Sequence, residues 1–346
     1  MKKSFASRVK YLKLLPSMNE LVRATGGQNF ILIYDEKISS IANFAKWIKN
    51  FTHVHSVISG EELKNIDNFS QHVKQILPYF AGFSAQESVI VAVGGGTVGD
   101  FAGFLASVIK RGVVYVNIPS TWLAAVDSAH GGKTGLNVNE LKNQVGTFYQ
   151  ASVVYCVKEL LNTQSVENVR SAYGEVLKTA LISGARLFSI VNKLKKLDAP
   201  NLWRILPQVV QAKYDVVKKD PREEKGVRQL LNFGHTVGHA FEMERLLPHG
   251  LAVQIGLEFA TEWSHRRKIL STKEYKRLKT LLAKNQTLPI KPLQSSRFRL
   301  HLRQDKKAQA GDKMRFVFIR KPGQTLIQAV EIDEIVNAAG EMGWAT

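Results

Sequence analysis

Through the first half of the chain, apolar residues come in short continuous runs separated by polar turns. Phe30 to Tyr34 is a short buried-strand run with Asp35 at its end, and a helical segment follows from about Ser39 to Lys49. His53 to Ile58 reads as a second strand. It leads into Gly60-Glu61-Glu62-Leu63-Lys64 and a long amphipathic helix to about Phe80. Ser88 to Val93 is the clearest strand and runs directly into Gly94–Asp100 and a helix over Phe101 to Ile109. Val113 to Ile118 is another strand, closed by Pro119. Strands that are apolar throughout, alternating with helices, predict a parallel sheet covered on both faces.

From about Ser165 the spacing turns helical. Glu175 and Lys178 fall one turn apart among Val176, Leu177, Ala180 and Leu181, which predicts a mostly buried helix. After a charged turn at Asp220-Pro221-Arg222 comes Arg228 to His239, read as the opening of a long helix that continues through Glu242. Leu247 to Gly250 is a turn, and a further helix is expected from Leu251 to about Lys268. Met314–Ile319 and Thr325–Val330 predict a hairpin, with a closing helix over Ala329 to Trp344. The pattern predicts an α/β protein of two domains. Residues 1–163 would form a Rossmann-like, mostly parallel sheet domain, and residues 164–346 a mainly α-helical one.

Composition changes this picture little. A length of 346 residues suits two domains, and 45% hydrophobic content is ordinary for a globular protein. Charge is the exception. The 48 basic and 29 acidic side chains leave +19, with basic runs such as Arg266-Arg267-Lys268 and Lys276-Arg277-Leu278-Lys279. Those runs sit among helix-forming residues with no zinc-finger or RNP-like motif. They read as a solvated surface that attracts anionic substrates rather than as a nucleic-acid binder. The single cysteine, Cys156, excludes an internal disulfide, fits a reducing compartment and lies in a packed apolar run. Met1-Lys2-Lys3 is followed by no apolar signal region, and no stretch reaches a membrane span. The expectation is a soluble cytoplasmic protein with no membrane and no nucleic-acid partner.

Candidate chemistry concentrates in three places. Gly94 to Gly99 spells G-x-G-x-x-G at a strand-to-helix junction, where bare backbone and a helix N-terminus suit a diphosphate. It departs from the dinucleotide fingerprint, because it follows a later strand and no acid stands about twenty residues on. Asp35 and Glu61, each near a strand end, are the candidate ribose acids instead. Next, Pro119 to Asn137 is dense in polar and glycine residues, with little to bury. Its Gly131-Gly132-Lys133-Thr134 fails the phosphate-loop spacing, since Asp127 stands five before Gly132. Lys133 and Asn143 remain candidates for a phosphate or carboxylate.

The third place is the stripe of Arg228, Asn232, His235 and His239, spaced to share one helical face, with Gly234 and Gly238 beside the histidines. Polar groups aimed inward need something to bind. Glu175, His235 and His249 make a possible metal set with open positions, suited to zinc, cobalt or non-haem iron. Spacing does not choose between His239 and His249 as the partner of His235. The metalloprotease reading fails because Thr236 stands where its base would be.

Taken together, residues 94–104, 110–113, 126–137, 142–150, 174–178, 230–242, 247–250 and 305–307 resemble, in order, the motifs of the 3-dehydroquinate synthase family of sugar phosphate cyclases. The resemblance implies an NAD- and divalent-metal-dependent lyase of the shikimate pathway of aromatic biosynthesis. Its substrate would be 3-deoxy-D-arabino-heptulosonate 7-phosphate. Transient oxidation, phosphate elimination, reduction, ring opening and intramolecular aldol closure would yield 3-dehydroquinate. It implies Glu175, His235 and His249 as ligands of one metal, zinc or cobalt, and leaves His239 to the substrate. Asp127, Lys133, Lys142, Asn143, Lys178, Lys213, Arg228, Asn232 and Lys307 match substrate-pocket positions. Asp35, Glu61, Lys64, Gly95, Gly96, Thr97, Asp100, Ser120, Thr121, Lys142 and Thr163 match NAD-contacting ones. Arg111 matches an arginine that reaches a neighbouring subunit's site, which implies a homodimer.

The chain departs from the family pattern at Leu251, where an acid is usual after His-Gly, and at Lys37, Ala125, Ala129 and His130. Another sugar phosphate cyclase and a metal-dependent polyol dehydrogenase are the alternative readings. Arg228, Asn232 and His239 favour a phosphorylated, carboxylate-bearing substrate over the first, and Lys133, Asn143 and Lys307 argue against the second.

Overall fold

The computed structural model describes residues 7–139, 141–194, 196–283, 291–304, 308–309 and 312–346. The chain divides into two compact units, Met1–Ser165 and Val166–Thr346.

The first unit is built on β1 (Arg8–Leu12), β2 (Asn29–Asp35), β3 (His53–Val57), β4 (Ser88–Gly94), β5 (Val114–Pro119) and β8 (Val153–Val157). They form one sheet in the order β1-β8-β5-β4-β2-β3, and every pairing is parallel. The Rossmann-like α/β reading therefore holds. Strand residues of both parities are buried: Leu32, Val91, Val93 and Val116 on one face, Ile31, Ile33, Ile90 and Ala92 on the other. The first set packs with Leu21 and Ala24 of α1 (Met18–Thr25) and Phe44 and Trp47 of α2 (Ala42–Ile48). Helix α3 (Ile66–Ile76) follows a short turn over Glu61–Lys64, and α4 (Gly96–Val108) packs on β4 and β5. Cys156 is fully buried in β8, and burial pushes its thiol up to about 12.

Several elements escaped the apolar-run reading, among them β8, whose run Val153–Val157 was read only as packed, β1 and α1. Strand β1 is a partly exposed edge of sequence Arg-Val-Lys-Tyr-Leu, so it carries no continuous apolar signal. Helix α1 announces itself differently, by a capping box in which Ser17 and Glu20 satisfy each other's backbone N–H, and it ends at Gly26 with φ +73°. The segment 119–137, read as having little to bury, needs a correction. Trp122, Ala124, Ala125 and Leu136 are buried, a π-turn spans Ala124–Ser128, and β6 (Lys133–Val138) pairs antiparallel with β7 (Leu141–Phe148). A short α5 (Lys158–Leu161) ends the unit.

The second unit is mainly helical, with α6 (Val166–Ser183), α7 (Ala185–Asn192), α8 (Ala199–Val217), α9 (His235–Arg245), α10 (His249–Arg266), α11 (Thr272–Ala283) and α12 (Ser295–Gln304). Strands β9 (Ala308–Gln309), β10 (Lys313–Lys321) and β11 (Gln324–Glu331) form an antiparallel sheet, and α13 (Ile332–Glu341) follows. The closing helix starts three residues later than its apolar pattern suggested. Ala329, Val330 and Glu331 are still paired with Arg315, Met314 and Lys313.

The stretch Arg228 to His239 is not one helix. A 3₁₀ segment covers Val227–Asn232, the chain extends at Phe233, and Gly234 turns it at φ +80° before α9 starts at His235. Only glycine takes that turn without strain, and Phe233 is fully buried beside it. The same glycine belongs to a second device, the close approach of α6, α9 and α10. A Cβ on Gly250 would lie 1.6 Å from the Ser171 carbonyl oxygen, and one on Gly174 would lie 2.0 Å from that of Gly250. A Cβ on Gly256 would lie 1.7 Å from the Gly234 oxygen, and one on Gly238 would lie 2.7 Å from that of Ala252. Backbone touches backbone, which no larger residue permits.

Gly250→Ala should drive α10 from α6, costing about 3 kcal/mol or more and lowering the thermal midpoint by at least about 6 °C. Gly340→Ala in α13, where nothing lies within 4 Å of the added carbon, should leave the midpoint unchanged or raise it. Equal losses in both variants would rule out the close-contact account. Separately, His55 Nε2 lies 2.9 Å from His72 Nδ1, and burial, then the neighbouring ring, push His55 down to about 4. The unfolded chain takes up that proton near 6.5. Stability from the neutral ring is therefore complete above pH 6.5 and is lost as pH falls towards 4. Denaturant titrations should show a smaller stability loss across that window in His55→Asn than in the parent protein. Identical slopes would refute the coupling.

Candidate functional site

In the first unit, the C-terminal ends of parallel strands carry the polar groups, the position where α/β sheets present ligand sites. Gly95 stands in extended backbone as the N-cap of α4, and Gly96 and Thr97 open that helix. Their neighbours are close: a Cβ on Gly96 would lie 3.0 Å from Ser128 Oγ, and one on Gly95 3.2 Å from Thr121 Cγ2. Ser120 N donates to Gly94 O at 2.8 Å, which ties the end of β5 to that of β4. Thr97 Oγ1 accepts from Gly60 N at 3.3 Å. The first turn of α4 offers backbone N–H groups and a positive helix end to an anion.

Beside it runs a hydrogen-bonded chain. The buried Lys64 ammonium donates to Asp100 Oδ2 at 2.6 Å and to Asn143 Oδ1 at 2.5 Å. Asn143 N donates to Asn137 Oδ1 at 2.9 Å, and Asn137 Nδ2 donates to Glu61 Oε2 at 2.7 Å. Lys142 Nζ stands 3.5 Å from Glu61 Oε1. Burial raises the Asp100 carboxyl, and the Lys64 ammonium opposes that rise. So Glu61, Lys64, Asp100, Lys142 and Asn143 meet in one network, and Asn137 joins them. Asn137 had no assigned role, although it closes the 126–137 segment that resembles a family motif.

Other expected residues stand apart from this network. Asp35 is buried at the end of β2 and accepts from Lys37 N at 3.2 Å. Thr163 gives its hydroxyl to Leu160 O at 2.7 Å. Asp127 lies in the π-turn, and the exposed Lys133 opens β6. Arg111 is exposed at φ +63°, just past the far end of α4 from Gly95. Thirteen helical residues separate those ends by about 20 Å.

In the second unit, three helices place three ligand-type atoms together. Glu175, 1% exposed on α6, is paired with Lys178 through Oε2. Its Oε1 lies 3.4 Å from His235 Nε2 at the start of α9 and 3.2 Å from His249 Nε2 at the start of α10. The opposite ring nitrogens are occupied: His235 Nδ1 is 3.3 Å from Phe233 O, and His249 Nδ1 is 2.9 Å from Glu242 Oε2. A tetrahedral ion with bonds of about 2.0–2.1 Å holds its ligand atoms about 3.3 Å apart. The two separations from Glu175 bracket that value and all three ligand-type atoms lie within 4.8 Å of one another, so the residues fit a divalent ion with positions left open. Burial, then the Lys178 ammonium, push His235 down to about 3, which keeps its imidazole neutral. Burial works against charge on Glu175, but Lys178 and the two rings hold its carboxyl well below the usual range. On His249, burial is outweighed by hydrogen bonds to Glu175 and Glu242, which push it up to about 10.

His239 is half-buried on α9, its ring 5.2 Å from that of His235 and 6.0 Å from that of His249. Arg228 belongs to the preceding 3₁₀ segment, not to α9. It is buried, its N donates to Asp220 Oδ2 at 3.2 Å and its Nη1 to Pro221 O at 3.0 Å. Asn232 closes the same segment, and Lys213 is buried on α8. Lys307 lies outside the described residues. Glu242 went unassigned, although it sits seven residues after His235 on the face that carries both α9 histidines.

Comparison with known proteins bears on both units. Residues 54–171 match the family described as 3-dehydroquinate synthase N-terminal, and residues 172–308 the one described as 3-dehydroquinate synthase C-terminal. The chain is 35% identical over 278 residues to the 3-dehydroquinate synthase of Campylobacter concisus (strain 13826), covering 79% of each chain. Among solved structures it is similar to 2-deoxy-scyllo-inosose synthase complexed with carbaglucose-6-phosphate, NAD+ and Co2+. There the TM-score is 0.83 at 23% identity over 96% of both chains. It is also similar to the 2-epi-5-epi-valiolone synthase of Streptomyces hygroscopicus subsp. jinggangensis 5008 with NAD+ and Zn2+ bound. The TM-score there is 0.81 at 23% identity, over 99% of this chain and 98% of that one. At such identities the two structures speak to the fold, whereas the family matches extend over both units: the chain belongs to the 3-dehydroquinate synthase family.

Proposed function

We infer that this chain carries out the family reaction, conversion of 3-deoxy-D-arabino-heptulosonate 7-phosphate to 3-dehydroquinate and phosphate, with NAD regenerated in each cycle. The observation that carries the reading is the single Glu175 oxygen shared by two imidazole Nε2 atoms inside the helical unit. Glu175, His235 and His249 would hold one divalent ion, zinc or cobalt. Bound there, the ion supplies Lewis acidity, first to a substrate hydroxyl and then to the ketone that replaces it. NAD would lie across the strand ends of the first unit, against Gly95, Gly96, Thr97, Asp100, Ser120 and Thr121. Asp35, Glu61, Lys64, Lys142 and Thr163 complete its contacts in this reading.

The rest of the work is placement. Lys133, Asn143, Asn232, His239 and Lys307 are assigned to the phosphate group, and Arg228 and Lys213 to the carboxylate and ring hydroxyls. Asp127, Lys142 and Lys178 complete the substrate positions. Once a ring hydroxyl is oxidised, the neighbouring C–H becomes acidic, so a weak base suffices, and the leaving phosphate itself can serve. What the protein must add is orientation of two anionic groups and the cofactors in one register. Lys178 has a second task, since its ammonium keeps the buried Glu175 ionised and able to act as a ligand.

Arg111 is assigned to the neighbouring site of a homodimer. Supporting this are its exposed, left-handed position away from its own glycine turn and the exposed apolar residues Val108, Leu141, Val145 and Phe148 on α4 and β7. The cytoplasm is the proposed compartment. Among the described residues, no helix is long and apolar enough to cross a membrane.

The deciding experiment measures phosphate release from the heptulosonate phosphate by metal-loaded protein, with and without NAD, and identifies the carbocycle by NMR. NAD-dependent release with dehydroquinate formation is expected. No release by protein that demonstrably holds NAD and metal would shift the reading to another sugar phosphate. Two variants separate the roles. His235→Ala should lose bound metal. Lys133→Ala should keep it while turnover falls about 100-fold or more. Full activity in either variant contradicts its assignment.

A further inference from the structure

The reading above gives Glu242 no role, yet its position is specific. It lies on α9, three residues after His239, and its Oε2 stands 2.9 Å from His249 Nδ1. On the far side of the same ring, Nε2 faces Glu175 Oε1 at 3.2 Å. A neutral imidazole carries one N–H, and an ionised carboxylate only accepts. With Nε2 given to a metal, the ring would carry its one proton at Nδ1, where the Glu242 hydrogen bond holds it, and the Nε2 lone pair would be left for the ion that Glu175 shares. His235 is arranged in the same way, with a backbone oxygen in place of the carboxylate: its Nδ1 faces Phe233 O, and its Nε2 faces Glu175. The residue two after His249 is Leu251, whose side chain can accept no hydrogen bond.

We propose that Glu242 is a positioning residue of the metal centre. It fixes the Nδ1–H tautomer and ring angle of His249, and through them it sets metal affinity. The proposal rests on the assignment of Glu175, His235 and His249 as ligands. Its rival is that Glu242 is itself a ligand, because Glu242, His239 and His249 form a second group with donor atoms within 4.8 Å of one another. Ring geometry favours orientation. Glu242 meets His249 at Nδ1, at 2.9 Å, on the opposite side of the ring from the Nε2 that faces Glu175 Oε1, the oxygen His235 Nε2 also faces.

The test is chelator competition for Co2+ and Zn2+ on the full chain, comparing the parent protein with Glu242→Ala, Glu242→Gln and His235→Ala. Ion stoichiometry and the visible Co2+ spectrum are read alongside, and far-UV circular dichroism of each metal-free variant checks folding. For Glu242→Ala, metal affinity should weaken about 10- to 100-fold, with one ion still bound at saturation. For Glu242→Gln the loss should be smaller, because an amide oxygen still accepts from Nδ1–H. The metal concentration for half-maximal turnover should rise in step with affinity, with kcat largely restored at saturating metal. Parent-like affinity in Glu242→Ala would overturn the proposal. So would two ions per parent chain falling to one in that variant, which would make Glu242 a ligand. His235→Ala guards the assumption beneath: parent-like affinity there would sink the ligand assignment itself, whatever Glu242 does.

Discussion

The helical unit depends on a carboxylate that water cannot reach. Glu175 is 1% exposed, and an isolated buried charge of that kind costs several kcal/mol. It is ionised because Lys178 sits one turn along the same helix and two imidazoles close on its other oxygen. Those rings arrive from two other helices, and they reach it because glycines stand where any Cβ would collide. Each proposed ligand has such a glycine as its immediate neighbour in sequence: Gly174 before Glu175, Gly234 before His235, Gly250 after His249. The residues proposed to hold the metal and the residues that let the backbones touch are adjacent, so a helix cannot slide without moving its side chain in the cluster.

The sheet unit meets a different constraint with similar means. A parallel sheet presents its strand ends to one side, and short polar loops there must be held without a core of their own. Lys64 does much of that work. Its buried ammonium joins Asp100 at the first turns of α4 to Asn143 in the hairpin, and Asn137 carries the link on to Glu61. Four of these residues were expected to touch ligands one by one. The structure binds them to each other, so a change at any one alters the pose of the rest.

The parallel sheet, the buried Glu175 helix and the β10–β11 hairpin were legible from apolar periodicity, because in each the side chains that must be buried repeat at the element's own period. The edge strand β1 was not, since an exposed edge has no such repeat. The stretch Arg228 to His239 misled for another reason. Its spacing of 4, 3 and 4 residues fits one helical face, but a 3₁₀ segment and a left-handed Gly234 interrupt it. Periodicity says which residues would share a face if the helix were continuous, and a glycine at its centre was the sign to doubt that. Glu242 was within reach on the uninterrupted part, where it lies one turn beyond His239. No sequence rule, however, distinguishes a carboxylate that faces a ligand's ring from one that faces solvent.

Charge shows the same gap between pattern and place. The excess of +19 draws the eye to basic runs on α10 and α11, where Arg266 and Arg277 pair with Glu262 and Glu274 on the same helices and such pairs contribute little. Of the cations given to the proposed chemistry, Arg111, Lys133 and Lys142 are exposed, but four are hidden. Lys64, Lys178, Lys213 and Arg228 are all 5% exposed or less, in a class of side chain that is almost never fully buried without a partner. Lys64 and Lys178 have carboxylates, and Arg228 has a backbone oxygen. Each is therefore fixed in place before any ligand arrives. A fixed, desolvated cation acts on an anionic substrate more strongly than a surface lysine does, because it is poorly screened and little of its freedom remains to be lost. Most of the basic excess is displayed on the surface, while part of the anion chemistry proposed for the chain rests on four side chains that the surface conceals.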